Sequence, residues 1–387
     1  MAKYSEQIHR CFRCGWCKFT ADYRDINCPS YKRFRLDTYS TSGRLWLIRS
    51  WLNGEIKWSE RLGEILYTCT TCKNCVEQCP MGFAPDIVDW IVQARTDVVE
   101  AGQIPPRVAR FLEGVYGYGN PFKSLRSERA AWADGVKKYA KGDEYLFYVG
   151  CLGSYDENGQ KMARSLANIM QKCGMSFGIL GNDEECCGNE VYLLGETGLF
   201  QLLVEKNIKT FQDLSVKKIV TLSPHAYNIM KNVYPISGAN FEIYHYTQIL
   251  HKLIADGLLT LPSNKNKKNK ITYQDPCFLG RYNYIYDEPR RVLSSIPDIQ
   301  IVEMPRSRKD AFCCGGGSGS FATDLLAGSE DSPSRVRVRE AHKTGASILT
   351  VACPGCMAML TDAVKAENLD DKIAVKDISQ IVMESMK

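Results

Sequence analysis

The chain has 387 residues, 44% apolar and 24% charged, a balance that suits a globular protein of about two to four domains and excludes a disordered or coiled-coil chain. Its net charge of +5, from 49 basic against 44 acidic residues, is too slight to argue for nucleic acid, which shows itself as a clustered basic face. No run of about 18 apolar residues occurs, since Ser347 to Leu360 is broken by Cys353, Pro354, Gly355 and Cys356, and the start from Met1 to Arg10 is polar, so a cytoplasmic protein is expected.

In chain order, residues 1–140 hold the first eight cysteines and read as an all-α unit, with amphipathic helices predicted over Ala84 to Val99 and Pro106 to Leu112. From Tyr145, short apolar runs alternate with helical stretches. Tyr145 to Gly150 is followed by a helix over Asn158 to Cys173, Ser176 to Leu180 by one over Glu196 to Phe211, and Lys218 to Leu222 by one over Pro224 to Val233. Such alternation predicts βα units on a parallel sheet. Tyr246 to Leu258, with Leu250, Leu253 and Ile254, is expected in the core rather than on a docking face. Asn264 to Lys270 has no apolar residue and is expected as a solvated linker. The plan then restarts with the runs Ile271 to Asp275, Ile299 to Met304 and Ser347 to Ala352.

The restart is an internal repeat. Cys151 answers to Cys277, Cys186-Cys187-Gly188 to Cys313-Cys314-Gly315, and Ser223-Pro224-His225-Ala226 to Cys353-Pro354-Gly355-Cys356. The interval from Cys151 to Cys186 is 35 residues and that from Cys277 to Cys313 is 36. The expected organisation is a helical domain over residues 1–140, then two α/β repeats, residues 141–263 and 270–387.

Seventeen cysteines in a reducing compartment need a reason other than disulfides. Sixteen fall in clusters, and Cys173 stands apart in a helical pattern as a small core residue. The strongest motif is Cys69-x-x-Cys72-x-x-Cys75-x-x-x-Cys79-Pro80. Three thiolates at this spacing wrap one cubane [4Fe–4S] cluster, while the fourth, followed by proline, serves the other cluster in two-cluster ferredoxins. Cys11-x-x-Cys14-x-x-Cys17 begins a second set, completed by Cys28-Pro29 after an interval of ten residues. The crossover rule gives one cluster Cys11, Cys14, Cys17 and Cys79, and the other Cys69, Cys72, Cys75 and Cys28. Two structural zinc sites are the alternative, but zinc sites usually come as Cys-x-x-Cys pairs.

The second repeat supplies five thiols, Cys277, Cys313, Cys314, Cys353 and Cys356, which is one too many for an ordinary cubane. Each follows an expected strand or sits in a glycine-rich turn, where parallel sheets gather their ligands. Gly315, Gly316 and Gly317 allow close backbone approach to a bulky inorganic centre.

The pattern of Cys, CCG and CPxC at intervals of about 35 residues resembles the CCG domain of heterodisulfide reductases. The order of parts, a two-cluster ferredoxin and then paired CCG repeats, is similar to their fused catalytic subunit. It equally resembles iron–sulfur subunits of anaerobic glycerol-3-phosphate dehydrogenase, of glycolate and lactate oxidation, and of the membrane complex serving sulfite reduction. The resemblance implies a noncubane [4Fe–4S] cluster on a complete CCG module, where heterodisulfide reductase cleaves a disulfide. It carries over to Cys277, Cys313, Cys314, Cys353 and Cys356 as catalytic ligands. The first repeat keeps Cys151, Cys186 and Cys187 but has Ser223 and Ala226 in the other two places, leaving a decayed structural repeat or an altered cluster open. His225 could substitute as a ligand or simply pack.

Trp46, Trp51 and Trp58 lie between the ferredoxin motifs, either packing in the core or shielding clusters from water. Arg335, Arg337 and Arg339 either hold an anionic partner or form a solvated face, the second being favoured. Gly315-Gly316-Gly317-Ser318-Gly319 lacks the dinucleotide spacing and no P-loop occurs, so neither flavin nor NAD is expected in this chain. Two-electron donors are then expected on a flavoprotein or other redox subunit. The main expectation is an oxidoreductase subunit relaying electrons through two cubane clusters to or from a noncubane cluster that acts on a thiol or disulfide. The alternative is a wiring subunit between a flavoprotein dehydrogenase, or electron-transferring flavoprotein, and a quinone pool. It would lie at the inner face of a membrane through a quinone-reactive partner. A zinc-stabilised scaffold is the non-redox alternative.

Overall fold

The computed structural model describes residue 4 and residues 6–238, 240–262 and 269–386. Among the described residues six α-helices build the N-terminal part from residue 29 on: Pro29–Phe34, Thr41–Leu52, Glu60–Tyr67, Asn74–Gln78, Ile87–Glu100 and Pro106–Tyr118. Their starts follow capping chemistry. Ser40 and Ser59 accept the backbone N–H of Gly43 and Leu62 and cap the second and third helices. Leu45, Ile48, Leu66, Ile91, Ala94 and Val98 form the shared core. Among the described residues this part has no strand, only an isolated antiparallel bridge between Phe19 and Ile26.

The helix expected from Ala84 begins as a 3-10 turn, Ala84–Asp86, with Pro85 in it, before the α-helix starts at Ile87. The helix from Pro106 runs on to Tyr118, past Gly114 and Gly117, and stops at Gly119 in the left-handed region (φ +70°). Packing overrides the glycine penalty here: Gly114 sits directly on the backbone of Asn120 and Pro121.

Two four-stranded parallel sheets follow. The first holds β1 (Tyr145–Tyr148), β2 (Phe177–Gly178), β3 (Lys218–Thr221) and β4 (Glu242–His245) in the order β2-β1-β3-β4. The second holds β5 (Asn269–Tyr273), β6 (Ile299–Ile301), β7 (Ile348–Val351) and β8 (Ala374–Asp377) in the order β6-β5-β7-β8. Register pairs Leu146 with Ile219 and Ile271 with Ile348. The central strands are buried on both faces, which is why they read as continuous apolar runs. The edge strands β4 and β8 are half-exposed and polar, and no apolar run announces them. The linker expected at 264–268 lies outside the described residues, and Asn269 and Lys270 belong to β5.

The repeats pack through a two-fold exchange of helices. Glu157–Lys172 lies on Ile378–Ser385, and Tyr246–Ala255 lies on Asp287–Ser294. Leu250 and Leu253 are buried there, so the Tyr246 helix is core between the repeats. His245 and Asp377 end equivalent strands and each builds a capping box, with Gln248 and Gln380 respectively. Both sheets reverse strand order between β1 and β3 and between β5 and β7. Ligands of parallel sheets collect at the carboxyl ends beside such a reversal. Cys151 and Ser223 stand there in the first repeat, Cys277 and Cys353 in the second.

Candidate metal centre

Cys11, Cys14, Cys17 and Cys79 line one cavity together with Leu45, Phe83 and Ile87. Cys14 is exposed and Cys17 is buried. Trp46 donates its indole N–H to the Cys11 carbonyl at 2.7 Å, and the Arg13 and Arg49 guanidinium groups lie 4.5 and 4.7 Å from its ring centroid. It therefore braces the backbone of this thiol set. Trp51 and Trp58 pair with each other at 5.7 Å.

Cys28, Cys69, Cys72 and Cys75 form a second group, in which Cys72 bears on Cys28 and both Cys69 and Cys72 on Cys75. Cys17 also bears on Cys28 and on Cys75, so the two thiol groups adjoin one another. The long interval after Cys17 is taken up by a small excursion closed by the Phe19–Ile26 bridge and by Thr20 N–H to the Asp25 carbonyl. It returns the chain so that Cys28 precedes the helix at Pro29. Thr71 and Lys73 take positive φ between the thiols, +49° and +59°, which bends the loop around its interior.

The five second-repeat thiols form one contiguous group. Cys356 and Cys314 sulfurs are 3.3 Å apart, Cys313 bears on both Cys277 and Cys314, and Cys353 bears on Cys356. The hydrogen bond from Cys313 holds Cys314 well below the ordinary thiol range. Burial works against Cys353, but hydrogen bonds from Cys356 and His225 hold it low as well. Cys313 also meets Cys72, and Thr70 Oγ1 lies 3.7 Å from its sulfur. The second ferredoxin-like set and the CCG set are therefore neighbours.

The first repeat behaves differently. Cys151 and Cys186 hydrogen-bond, as do Cys186 and Cys187. Both terminal nitrogens of buried Arg129 lie 3.8 Å from the Cys151 sulfur, and Arg129 pairs with Glu184 at 2.8 Å. Ser223 accepts the His225 backbone N–H and acts as a helix cap. Ala226 is buried. His225 faces Glu190 through Nδ1 at 2.5 Å, stacks on Phe278 at 4.1 Å and hydrogen-bonds Cys353. It is aimed at the second repeat, not at the thiols of its own. Burial disfavours its charge, but the Glu190 carboxylate dominates and pushes its pKa up to about 10. A mostly apolar cavity between the repeats is lined by Cys151, Cys187, Glu190, His225, Phe321 and Gly355.

Several groups carry no mark in the sequence. Buried Arg95 donates to the carbonyls of Cys69, Leu66 and Leu193 and to Ser318 Oγ. Buried Arg281 donates to the Cys72 carbonyl at 2.6 Å and to that of Ala311 at 2.7 Å. Arginine is rarely buried, and nothing in their local sequence distinguishes these two. The solvated face expected for Arg335, Arg337 and Arg339 is corrected. All three lie on the helix Pro333–Lys343, and fully buried Arg337 donates to Gln274 and Glu340. Arg335 and Arg339 share Glu367. Cys173 is half-buried at the end of its helix and packs against the edge of the core. The glycine loop approaches protein backbone: a Cβ on Gly317 would lie 2.4 Å from the Thr70 carbonyl oxygen. The donor sets are thiols throughout, the soft chemistry that suits iron–sulfur groups over hard cations.

A model of the cysteine-rich domain matches residues 145–231 and 271–361, and one of the 4Fe-4S dicluster domain matches residues 7–83. The chain is 39% identical to the probable iron-sulfur-binding oxidoreductase FadF of Bacillus subtilis, with 84% of this chain and 47% of that one covered. It is 34% identical to the EtfAB:quinone oxidoreductase of Syntrophomonas wolfei, again covering 84% and 47%. The chain thus spans about half the length of these two relatives. It is 30% identical to a subunit of the dihydromethanophenazine:CoB–CoM heterodisulfide reductase of Methanosarcina barkeri, over 98% of this chain and 94% of that one. Among solved structures, a hypothetical protein from Helicobacter pylori shares the fold at a TM-score of 0.56 and 10% identity, covering 92% of this chain and 70% of that one. The chain accordingly belongs to the heterodisulfide reductase-like family of 4Fe-4S electron-transfer oxidoreductase subunits, which join a dicluster ferredoxin domain to two CCG domains.

Proposed function

We propose that this subunit holds two cubane [4Fe–4S] clusters and one noncubane [4Fe–4S] cluster, and that it serves thiol–disulfide chemistry at the noncubane one. The residues that would hold the groups are Cys11, Cys14, Cys17 and Cys79; Cys28, Cys69, Cys72 and Cys75; and Cys277, Cys313, Cys314, Cys353 and Cys356. Residues 1–140, 141–263 and 270–387 are the corresponding domains. The observation that carries the reading is the contiguous five-thiol group, joined to the ferredoxin-like part through the Cys72–Cys313 contact. Bound there, the groups supply single-electron transfer and an iron able to meet a substrate sulfur.

The chain's own residues shape the rest. Phe321, Pro121 and Leu152 give apolar walls to the cavity between the repeats, which reaches the CPxC segment at Pro354 and Gly355. Arg129 places positive charge beside Cys151, on the cavity side of the first repeat. Ser223 is spent on a helix cap and Ala226 has no donor, so the first repeat lacks the five-thiol set. One sulfur site, rather than two facing ones, follows.

The similarity to an EtfAB:quinone oxidoreductase favours a second reading, in which the same thiol sets wire an electron-transferring flavoprotein to a quinone pool. The flavin would then reside on the partner. Among the described residues no helix is long and apolar enough to cross a membrane, so membrane contact would come through a partner too.

Anaerobic iron analysis tests the cluster content: about twelve irons per chain are expected, four per cluster. A value near eight removes the noncubane centre, and one near sixteen gives the first repeat a full cluster of its own. Anaerobic turnover with a reduced viologen dye and cystamine separates the two readings. Dye oxidation that requires cystamine supports thiol–disulfide chemistry; its absence in a protein with about twelve irons leaves the wiring role.

A further inference from the structure

The first repeat has lost two thiols, yet what replaced them is not idle. Where the second repeat carries Cys353-Pro354-Gly355-Cys356, the first carries Ser223-Pro224-His225-Ala226. The added imidazole crosses the interface between the repeats. Nε2 and the Cys353 sulfur both lie against Gly355, 4.0 and 3.6 Å from where its Cβ would sit, so the imidazole faces that thiol. Nδ1 is held by Glu190 Oε1 at 2.5 Å. Glu190 is fixed in turn: its Oε2 accepts the Gly319 backbone N–H at 2.6 Å, and its Oε1 accepts from Asn189 at 2.9 Å. The ring face is fixed by Phe278, the residue after Cys277. Two second-repeat segments thus meet one first-repeat imidazole, and a third holds its carboxylate. A mere packing residue needs neither nitrogen placed, whereas here one faces a carboxylate and the other a thiol. Glu190 accepts the Nδ1 hydrogen bond and fixes the ring's orientation, and Nε2 donates from the imidazolium that a carboxylate on one side and a thiolate on the other hold charged.

We propose that His225, oriented by Glu190, is a positioning residue that donates a hydrogen bond to the Cys353 sulfur and raises the reduction potential of the centre held by the second repeat. The inference rests on the reading that Cys353 is a ligand of that centre. A donor on a ligand sulfur withdraws electron density and favours the reduced state, so potentials rise with such bonds. The first repeat then survives as the scaffold of this donor pair.

The test is an anaerobic redox titration followed by electron paramagnetic resonance on the full chain, for the parent protein, His225→Leu, His225→Gln and Glu190→Gln. In His225→Leu the midpoint potential of the CCG-held centre should fall while those of the two ferredoxin-like centres stay in place. His225→Gln keeps an N–H near the sulfur and should recover part of the shift, and Glu190→Gln should give a smaller fall. An unmoved potential in His225→Leu with the signal intact overturns the inference, as does an equal fall in all three centres. If the CCG signal vanishes in both His225 variants but is present in the parent, His225 is a ligand and the positioning role is wrong. A parent lacking the CCG signal overturns the functional reading itself, and this inference with it.

Discussion

Cys313 has sulfur neighbours on three sides: Cys277 and Cys314 in its own repeat and Cys72 from the ferredoxin-like part. Removing it deletes a donor from the middle of the five-thiol group and a neighbour from the group of Cys28, Cys69, Cys72 and Cys75. Cys313→Ala should therefore lose the CCG-held centre, about four irons, and alter the resonance of the set containing Cys72. The set of Cys11, Cys14, Cys17 and Cys79 is lined by other residues and should keep its signal unchanged. Iron analysis with electron paramagnetic resonance checks this, and a disturbed first set would show that the three thiol groups do not fold independently. At this scale the sequence is informative about thiols, because spacing and Cys-Pro ends are local and chemically specific. It is silent about Arg95, Arg281, Arg129 and Glu190, whose partners lie far along the chain. Arg95, for example, joins the Cys69 carbonyl to Leu193 and Ser318. A solvated arginine and a buried one look alike in sequence, and only tertiary contact separates them.

At the scale of elements, the glycine loop of the second repeat shows how strictly its docking is set. The Thr70 carbonyl oxygen lies 2.4 Å from where a Gly317 Cβ would sit, while nothing lies within 4 Å of the same point on Gly82. Gly317→Ala must push the loop off the Thr70 backbone, at a cost of roughly 1–3 kcal/mol for an overpacked contact. Gly82→Ala should be close to neutral. A drop in thermal midpoint for the first and not the second is expected, and equal midpoints would show that the loop has slack. The same scale explains which elements are legible in sequence. β1, β3, β5 and β7 are buried on both faces and stand out as apolar runs, whereas β4 and β8 sit at sheet edges with polar residues such as Glu242 and Lys376. The helix Pro106–Tyr118 outruns its local pattern because Gly114 argues against helix, and packing on Asn120 and Pro121 decides otherwise.

Across the whole molecule the thiol groups are ranked by exposure. Cys14 is open to solvent, with Phe12 61% and Trp16 48% exposed beside it, while Cys313, Cys314, Cys353 and Cys356 are buried behind the ferredoxin-like part. Arg10 and Arg13 are exposed in the same stretch of chain. An external redox protein can approach the first set far more closely than the last. On the proposed reading a two-electron donor needs a flavin to split the pair, and that flavin is expected on a partner that docks where a thiol group meets the surface. In stopped-flow mixing with a reduced electron-transferring flavoprotein, the Cys313→Ala variant should still show bleaching of the ferredoxin-like centres, while turnover with cystamine is lost. Trp16→Ala combined with Arg13→Glu should slow that bleaching without changing the iron content of the first set, since neither side chain supplies a donor. Salt should slow the parent in the same way, because exposed charges act within a Debye length of about 8 Å at physiological ionic strength. If bleaching fails in Cys313→Ala yet is untouched by Trp16→Ala with Arg13→Glu, electrons enter at the CCG repeats. The cavity lined by Cys151, Cys187 and His225 would then be the side the donor meets.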